Sequence, residues 1–215
     1  MTPSREEGPQ RFLIPARAHR VEEVIRRSRF ITSAAHAPDS RSAHAFVDGI
    51  RGEFPDATHN CWAFVAGPPG STANVGMSDD NEPHGTAGRP MLNALLHSGV
   101  GEIVAVTTRY FGGTKLGTGG LGRAYAGGVK LVLESLPTRE KVTRVPVKMV
   151  VDYDAVDGLK RLLEEMESLV SEEEFGARVQ LLAAVPEEFV DPLRDGLAEI
   201  TRGRAVFQVL EKANP

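Results

Sequence analysis

The sequence predicts an α+β protein made of two domains, and three features support this expectation. The chain has 215 residues, which exceeds the size of one small domain. Its composition changes near Leu136, because all six histidines, the only cysteine, the only tryptophan and 18 of the 22 glycines precede that position. Strand-like and helix-like hydrophobic patterns are mixed in both halves. We therefore expect one domain at residues 1–137 and a second at 142–215, joined by the charged, proline-containing segment 136–141.

The second half predicts an ordered series of elements. Strand patterns cover 145–153, 169–175, 178–185 and 205–210, and amphipathic helix patterns cover 155–167 and 186–202. Gly176 supplies a hairpin turn between the two middle strands, and Gly203 ends the second helix. The resulting order, βαββαβ, is the ferredoxin-like or split βαβ arrangement.

The first half also mixes strands and helices. Strand patterns cover 12–18, 30–37, 59–66 and 103–111, and helix patterns cover 42–53, 86–99 and 121–134. A glycine-rich segment, 112–120, separates the last strand from the last helix, and we predict that it forms a loop.

Charge and composition limit the classes of function. The formal net charge is −4; residues 1–138 hold 14 Lys and Arg against 13 Asp and Glu, and residues 139–215 hold 11 against 16. The halves therefore carry +1 and −5, and any contact with nucleic acid is predicted to use a local basic patch. One cysteine and the lack of a long apolar run in the sequence predict a soluble, cytoplasmic protein that does not enter a membrane.

The segment from Arg109 to Arg123 gives the strongest signal for a binding site. A glycine-rich loop before a helix lets backbone N–H groups approach an anion, and Arg109, Lys115 and Arg123 are suited to hold phosphate. The alternative is that the glycines make tight turns or close packing without any ligand. The dinucleotide fingerprint is rejected because no strand ending in an acidic residue follows, and the P-loop is rejected because Lys115 precedes the later glycines.

Two further groups of residues could carry chemistry. Asp79, Asp80 and Glu82 could bind a hard cation or act as acid and base, or they could form a capped, solvated loop. His59 and Cys61 share one face of a strand, which allows a Cys–His nucleophile, although a lone cysteine in an apolar strand is more typical of a buried, inert residue. No complete catalytic motif or metal-ligand spacing is present in the sequence, so we assign no catalytic residue, metal or cofactor.

Four ordered blocks of the first half resemble the IMPACT/YigZ family, which is related to a eukaryotic regulator of translation. The blocks are 28–31 (SRFI), 59–63 (HNCWA), 79–90 (DDNEPHGTAGRP) and 109–121 (RYFGGTKLGTGGL). The family pattern has Gly and Ser where this chain has Asn81 and His84. The resemblance implies a first domain like the second domain of ribosomal protein S5, which is shared with elongation factor G and some small-molecule kinases. It also implies a ferredoxin-like second domain similar to one in elongation factor G.

The resemblance implies a cytoplasmic, translation-associated accessory or regulatory protein that binds RNA or a ribosome-associated partner. Two alternatives remain open: an enzyme acting on a phosphorylated or carboxylated small molecule, with Asp79, Asp80 or Glu82 at its acidic site, and a protein-interaction module without nucleic acid. The residues predicted to bind the RNA or another anion are Arg109, Lys115, Gly117, Gly119, Gly120 and Arg123.

Overall fold

The computed structural model describes residues 11–210, which form a two-domain α+β fold, as the sequence predicts. The chain divides into two compact units between Lys141 and Val142. Among the described residues, no helix is long and apolar enough to cross a membrane.

The first unit is built on a five-stranded antiparallel sheet with the strand order β2-β3-β6-β4-β5, while β1 and β7 form a separate two-stranded sheet. The strands of residues 11–142 are β1 (Arg11–Pro15), β2 (His19–Ile25), β3 (Ser28–His36), β4 (His59–Val65), β5 (Val75–Ser78), β6 (Ile103–Tyr110) and β7 (Thr138–Val142). The helices are α1 (Ser40–Glu53), α2 (Gly88–Leu96) and α3 (Thr118–Ser135).

Helices cover both faces of the five-stranded sheet. Strand β6 lies at its centre, so successive side chains of β6 enter different cores. Val104 and Val106 pack towards α1, and Ala105 packs towards α2 and α3. Each of these valines is fully buried and contributes about 2 kcal/mol through the hydrophobic effect. The continuous apolar run that predicts this strand therefore reflects burial on both sides.

Three strands of the first unit escaped prediction. Strand β2 alternates Val21 and Ile25 with charged residues, and β5 has four residues, so neither gives a strong periodic signal. We expected residues 136–141 to form a linker. That expectation is wrong, because strand β7 begins at Thr138 and pairs with β1. Arg139 and Glu140 stay exposed at the edge of this small sheet, so the sequence resembles a linker even though the backbone pairs.

The second unit has the predicted βαββαβ order. Its strands and helices are β8 (Arg144–Val151), α4 (Val156–Glu165), β9 (Leu169–Phe175), β10 (Val179–Pro186), α5 (Val190–Thr201) and β11 (Val206–Val209). The antiparallel sheet has the order β11-β8-β10-β9. Leu159 and Leu163 of α4, and Leu193 and Leu197 of α5, stand one helical turn apart and are buried against the sheet. Gly203 follows the left-handed residue Arg202 and ends α5 where the sequence predicts.

Glu102 links the two sheets of the first unit. Its carboxylate accepts hydrogen bonds from His36 on β3, at 2.8 Å, and from Lys141 on β7. Burial raises the pKa of this carboxyl group, but the hydrogen bonds from Lys141 and His36 outweigh burial, so the pKa of Glu102 lies below its ordinary value. A lowered pKa in the folded state means that ionised Glu102 stabilises the fold at neutral pH, and that this contribution disappears as pH falls.

We expect Glu102→Gln to lower the stability of the first unit at pH 7 and to lose this disadvantage between about pH 5 and pH 3, around the ordinary glutamate pKa of about 4.3. Urea unfolding can be followed by the fluorescence of Trp62, the only tryptophan, which lies in the first unit. Glu140→Gln is the control, because that exposed carboxylate pairs with Arg11 at the surface and contributes little. A stability gap for Glu102→Gln that stayed constant over this pH range would contradict the assignment.

Candidate functional site

The acidic loop, which carries Asp79, Asp80 and Glu82, contacts the two elements on either side of the glycine-rich segment, strand β6 and helix α3. Arg109, near the end of β6, donates from Nη1 to Oε1 of Glu82 at 2.5 Å, and Tyr125 of α3 donates its hydroxyl to the same oxygen at 2.7 Å. Burial raises the pKa of Tyr125, and its contacts with Cys61 and Glu82 raise it further, so its hydroxyl keeps the proton that it donates. The ion pair is almost completely enclosed, since 6% of the Arg109 side chain and 3% of the Glu82 side chain are exposed.

Arg109 also contacts aromatic rings around its guanidinium group. The group lies 5.3 Å from the ring centre of Phe30 and 5.6 Å from that of Phe111, and Nη2 is 3.4 Å from the hydroxyl of Ser28. Sequence reasoning placed Arg109 among the phosphate-binding residues. In the structure its charge is matched inside the first unit, and it positions β6 against the acidic loop.

The two aspartates organise the acidic loop itself. Asp79 accepts hydrogen bonds from the backbone N–H groups of Gly85, Ala87 and Gly88, at 2.7, 2.9 and 2.8 Å, and so caps the start of α2. Burial raises the pKa of Asp79, but these backbone donors lower it more, so the net pKa is below its ordinary value. Asp80 accepts from the backbone N–H of Asn60 at 2.6 Å, with a left-handed backbone at φ 43°.

The left-handed turn continues into Asn81, at φ 68°. Asparagine tolerates this region better than most residues, and glycine adopts it freely. The three acidic residues therefore contact groups within the first unit, in the manner of the capped loop that the sequence left as one alternative.

His59 and Cys61 are tied to the same loop. The thiol of Cys61 donates to the carbonyl oxygen of Asp79 at 2.9 Å, and Nδ1 of His59 lies 2.8 Å from the carbonyl oxygen of Asp80. Cys61 is fully buried, and this burial raises the pKa of its thiol well above the ordinary range, which opposes formation of a nucleophilic thiolate. Within residues 11–210 no group of three or more His, Cys, Asp or Glu side chains is arranged to hold a metal ion.

The loop between β6 and α3 is shorter than the loop that the sequence predicts. Helix α3 begins at Thr118, so Gly119 and Gly120 lie in its first turn and not in the predicted loop 112–120. The sequence predicts that this helix begins at residue 121, because glycine lowers helix propensity. The first turn of a helix nevertheless tolerates glycine. Gly117 precedes the helix at φ 74° and ψ 165°, a conformation almost restricted to glycine, and no side chain among residues 11–210 caps the first turn. The N–H groups of that turn are therefore available to an anion.

A second element lies against this loop and was missed in the sequence. Strands β2 and β3 are joined by a two-residue turn, Arg26-Arg27, whose φ angles are 46° and 68°. Gly112 packs directly on the backbone of this turn, and its N–H donates to the hydroxyl of Ser28 at 3.2 Å. The sequence signal was weak because such turns normally contain Asn or Gly, and two arginines give no indication of a turn.

Four exposed cations therefore surround the glycine-rich loop. Two come from the hairpin turn, one from the loop and one from the first turns of α3. Within the described part of the chain, none of the four takes part in an ion pair with a carboxylate. We call this group the cationic cluster: Arg26, Arg27, Lys115 and Arg123.

An open groove between α2 and α3 extends this surface. It has a volume of about 950 Å³, with Pro90, Ala94, Gly122 and Ala126 among its small apolar residues. Further residues that line it carry charge or a titratable ring, and they are Arg89, His97, Arg123, Lys130 and Glu134. The basic surface around the loop thus continues along α3.

The fold and this site define a two-domain α+β protein whose first unit displays a cationic, glycine-rich loop packed on a β-hairpin. Comparison with known families agrees with the resemblance found in the sequence: the chain belongs to the IMPACT family. Residues 26–133 match the Impact N-terminal domain, and residues 149–204 match a domain of unknown function (DUF1949). Membership of this family points to a regulatory protein related to translation.

Individual relatives extend over nearly the whole chain. The IMPACT family member YigZ of Escherichia coli is 43% identical over 94% of this chain and 98% of its own length. An IMPACT family member of Haemophilus influenzae is 42% identical over 93% and 97%. A crystal structure of a hypothetical protein has a TM-score of 0.68 and 42% identity, covering 95% of this chain and all of that one.

Proposed function

We propose that this protein is a cytoplasmic, translation-associated regulatory protein that binds RNA through the cationic cluster. The observation that carries the proposal is the convergence of Arg26, Arg27, Lys115 and Arg123 on the glycine-rich loop, exposed and without carboxylate partners in residues 11–210. A chain with a net charge of −4 has no general attraction for nucleic acid, so four unpaired cations in one place are the feature suited to phosphates.

The backbone adds to the side-chain charges. The uncapped first turn of α3, entered through Gly117, presents N–H groups and the positive end of the helix dipole. Arg109 and Glu82 hold β6 and the acidic loop in place beneath the cluster, so Arg109 acts on binding through position and not through phosphate contact. This model keeps Lys115, Gly117, Gly119, Gly120 and Arg123 as the predicted anion-binding residues and adds the hairpin turn.

The proposal predicts RNA binding that falls steeply with salt. If the four cations neutralise four phosphates of a single strand, a plot of log Kobs against log salt concentration has a slope of about −3. Replacing all four cations with glutamine is expected to reduce affinity at least about tenfold at low salt and to flatten this slope. Fluorescence anisotropy of labelled ribosomal RNA fragments, together with sedimentation with ribosomes over a salt series, provides the measurement.

The matched control removes the same number of positive charges elsewhere. Four exposed arginines that carry no ion pair in the described structure are suitable, and they are Arg17, Arg41, Arg139 and Arg161. This variant is expected to bind RNA nearly as the wild type does. Equal loss in both quadruple variants would mean that net charge alone governs binding, and no binding by the wild type at low salt would refute the proposal.

A protein partner is the second candidate, and the groove between α2 and α3 favours it. The small residues Pro90, Ala94, Gly122 and Ala126 allow close approach of a partner backbone, and within the described residues the groove is lined by no Phe, Tyr or Trp ring. The enzyme alternative has less support, because Asp79, Asp80 and Glu82 are engaged in contacts within the first unit. If the variant with all four cations replaced by glutamine no longer binds RNA but still sediments with ribosomes, the result would favour the protein partner.

A further inference from the structure

Strand β9 (Leu169–Phe175) forms a free edge of the second-unit sheet. It pairs with β10 on one side, and within the described residues no strand pairs with its other side. All seven of its residues are exposed. Three of them are large and apolar, and the exposed fractions are 59% for Leu169, 40% for Val170 and 64% for Phe175. An edge of this kind offers unpaired backbone N–H and C=O groups to a further strand.

Two glutamates of β9 lie on the outer face of the sheet, which is the face turned away from α4 and α5. Glu172 and Glu174 pair with residues of β10 that alternate with its buried core residues, so both carboxylates point outward. Glu174 accepts a hydrogen bond from Nε2 of Gln180 at 3.2 Å, and neither carboxylate forms an ion pair within residues 11–210. Glu173, between them, lies on the helix side and pairs with Lys160 of α4 at 2.9 Å. The edge therefore presents two outward carboxylates without a cation.

Apolar side chains flank these carboxylates on both faces of the edge. Val170 and Phe175 pair with core residues of β10 and therefore lie on the helix side. Leu169 pairs with Ala184 on the outer face, and Ala184 also pairs with Pro146 of β8. Side chains of an added strand would alternate in the same way, so one set would meet Leu169 and the two carboxylates and the other set would meet Val170 and Phe175.

We propose that an extended, basic segment of a protein partner adds to β9 as a fifth strand, with Lys or Arg at alternate positions against Glu172 and Glu174. Charge complementarity selects this occupant, because residues 139–215 hold 11 Lys and Arg against 16 Asp and Glu. Main-chain hydrogen bonds along the edge supply affinity, and the cross-strand pairs of opposite charge supply specificity. The inference concerns a surface of the second unit and does not depend on RNA binding by the cationic cluster.

A second copy of this chain and RNA both suit this edge less well. Antiparallel pairing of β9 with another β9, centred on residues 172–174, places carboxylates opposite or next to one another, and like charges across a strand pair are destabilising. Two outward carboxylates also repel phosphate. Within the described residues, no Phe, Tyr or Trp ring of β8, β9 or β10 lies on the outer face to stack on a base.

The test uses the full-length chain and a labelled synthetic peptide of the same length as β9, in which lysine and valine alternate and both ends are blocked. Fluorescence anisotropy is expected to show saturable binding. The double variant Glu172→Lys with Glu174→Lys should bind at least about tenfold more weakly, because it places like charges across the new strand pair. The matched control is Glu164→Lys with Glu165→Lys, which makes the same charge change at exposed positions of α4 and is expected to bind nearly as the wild type does.

Modified peptides separate strand addition from general attraction of charge. One has the same composition with its lysines grouped together, and two more are N-methylated on all lysines or on all valines, which removes the N–H donors along one edge or the other. We expect about tenfold weaker binding of the grouped peptide and of one N-methylated peptide. Equal binding of all four peptides would overturn strand addition.

Two other results would also overturn the proposal. If the alternating peptide does not bind the wild-type chain, the glutamates of β9 serve only to prevent edge pairing. If the chain without peptide self-associates, and Glu172→Lys with Glu174→Lys abolishes this in sedimentation velocity measurements, the edge belongs to a second copy of the chain.

Discussion

Glu82→Leu is expected to destabilise the first unit by about 3–5 kcal/mol, the usual cost of removing one partner from a buried ion pair. The substitution leaves the guanidinium of Arg109 without its carboxylate and the hydroxyl of Tyr125 without its acceptor, both in an enclosed setting. Leucine has a volume similar to that of glutamate, so the loss of stability results from the missing charge more than from a cavity. Urea unfolding followed through Trp62 fluorescence measures this unit selectively, because the second unit has no tryptophan.

The double variant Glu82→Leu with Arg109→Leu separates charge from packing. Replacing both partners with apolar side chains is often near neutral, so we expect the double variant to recover much of the stability that the single variant loses. Glu22→Gln provides an exposed comparison within the same unit, since its pair with Arg29 lies at the surface and contributes little. A single variant as stable as the wild type would contradict the structural role given to this pair.

Periodic elements were predictable, and irregular ones were not. Strand β6, helix α3 and the βαββαβ order of the second unit follow from hydrophobic spacing that burial imposes directly. Strand β7 could not be predicted in this way, because its exposed edge position leaves charged residues such as Arg139 and Glu140 in the sequence of a strand. Strand β7 forms because it pairs with β1, which is distant in the sequence.

The residues of the candidate site likewise divide into those that the sequence predicts and those that it does not. Lys115 and Arg123 were predicted as anion-binding residues from the loop that carries them, and the structure leaves both exposed. Arg109 has the same charge and lies in the same motif, but its position on a central strand directs it towards Glu82, and no local pattern encodes that contact.

Gly112→Ala is expected to destabilise the first unit by about 3 kcal/mol, the upper end of the usual cost of overpacking, because the new Cβ atom meets rigid backbone. A Cβ atom at Gly112 would overlap the carbonyl group of Arg27 and stand 2.6 Å from the backbone nitrogen of Ser28. Both neighbours are main-chain atoms in a hairpin turn, so they cannot rotate aside as a flexible side chain would. The hairpin must therefore separate from the loop, which also disperses the cationic cluster and weakens RNA binding.

Gly119→Ala is the matched control within the same segment. A Cβ atom there meets only Nη1 of Arg123, at 3.6 Å, an ordinary contact distance. Because Gly119 lies in the first turn of α3, alanine at this position is expected to be neutral or to stabilise the unit by up to about 1 kcal/mol. Unfolding midpoints measured side by side would distinguish the two glycines. Equal stability of both variants would contradict the close approach of the hairpin turn to Gly112.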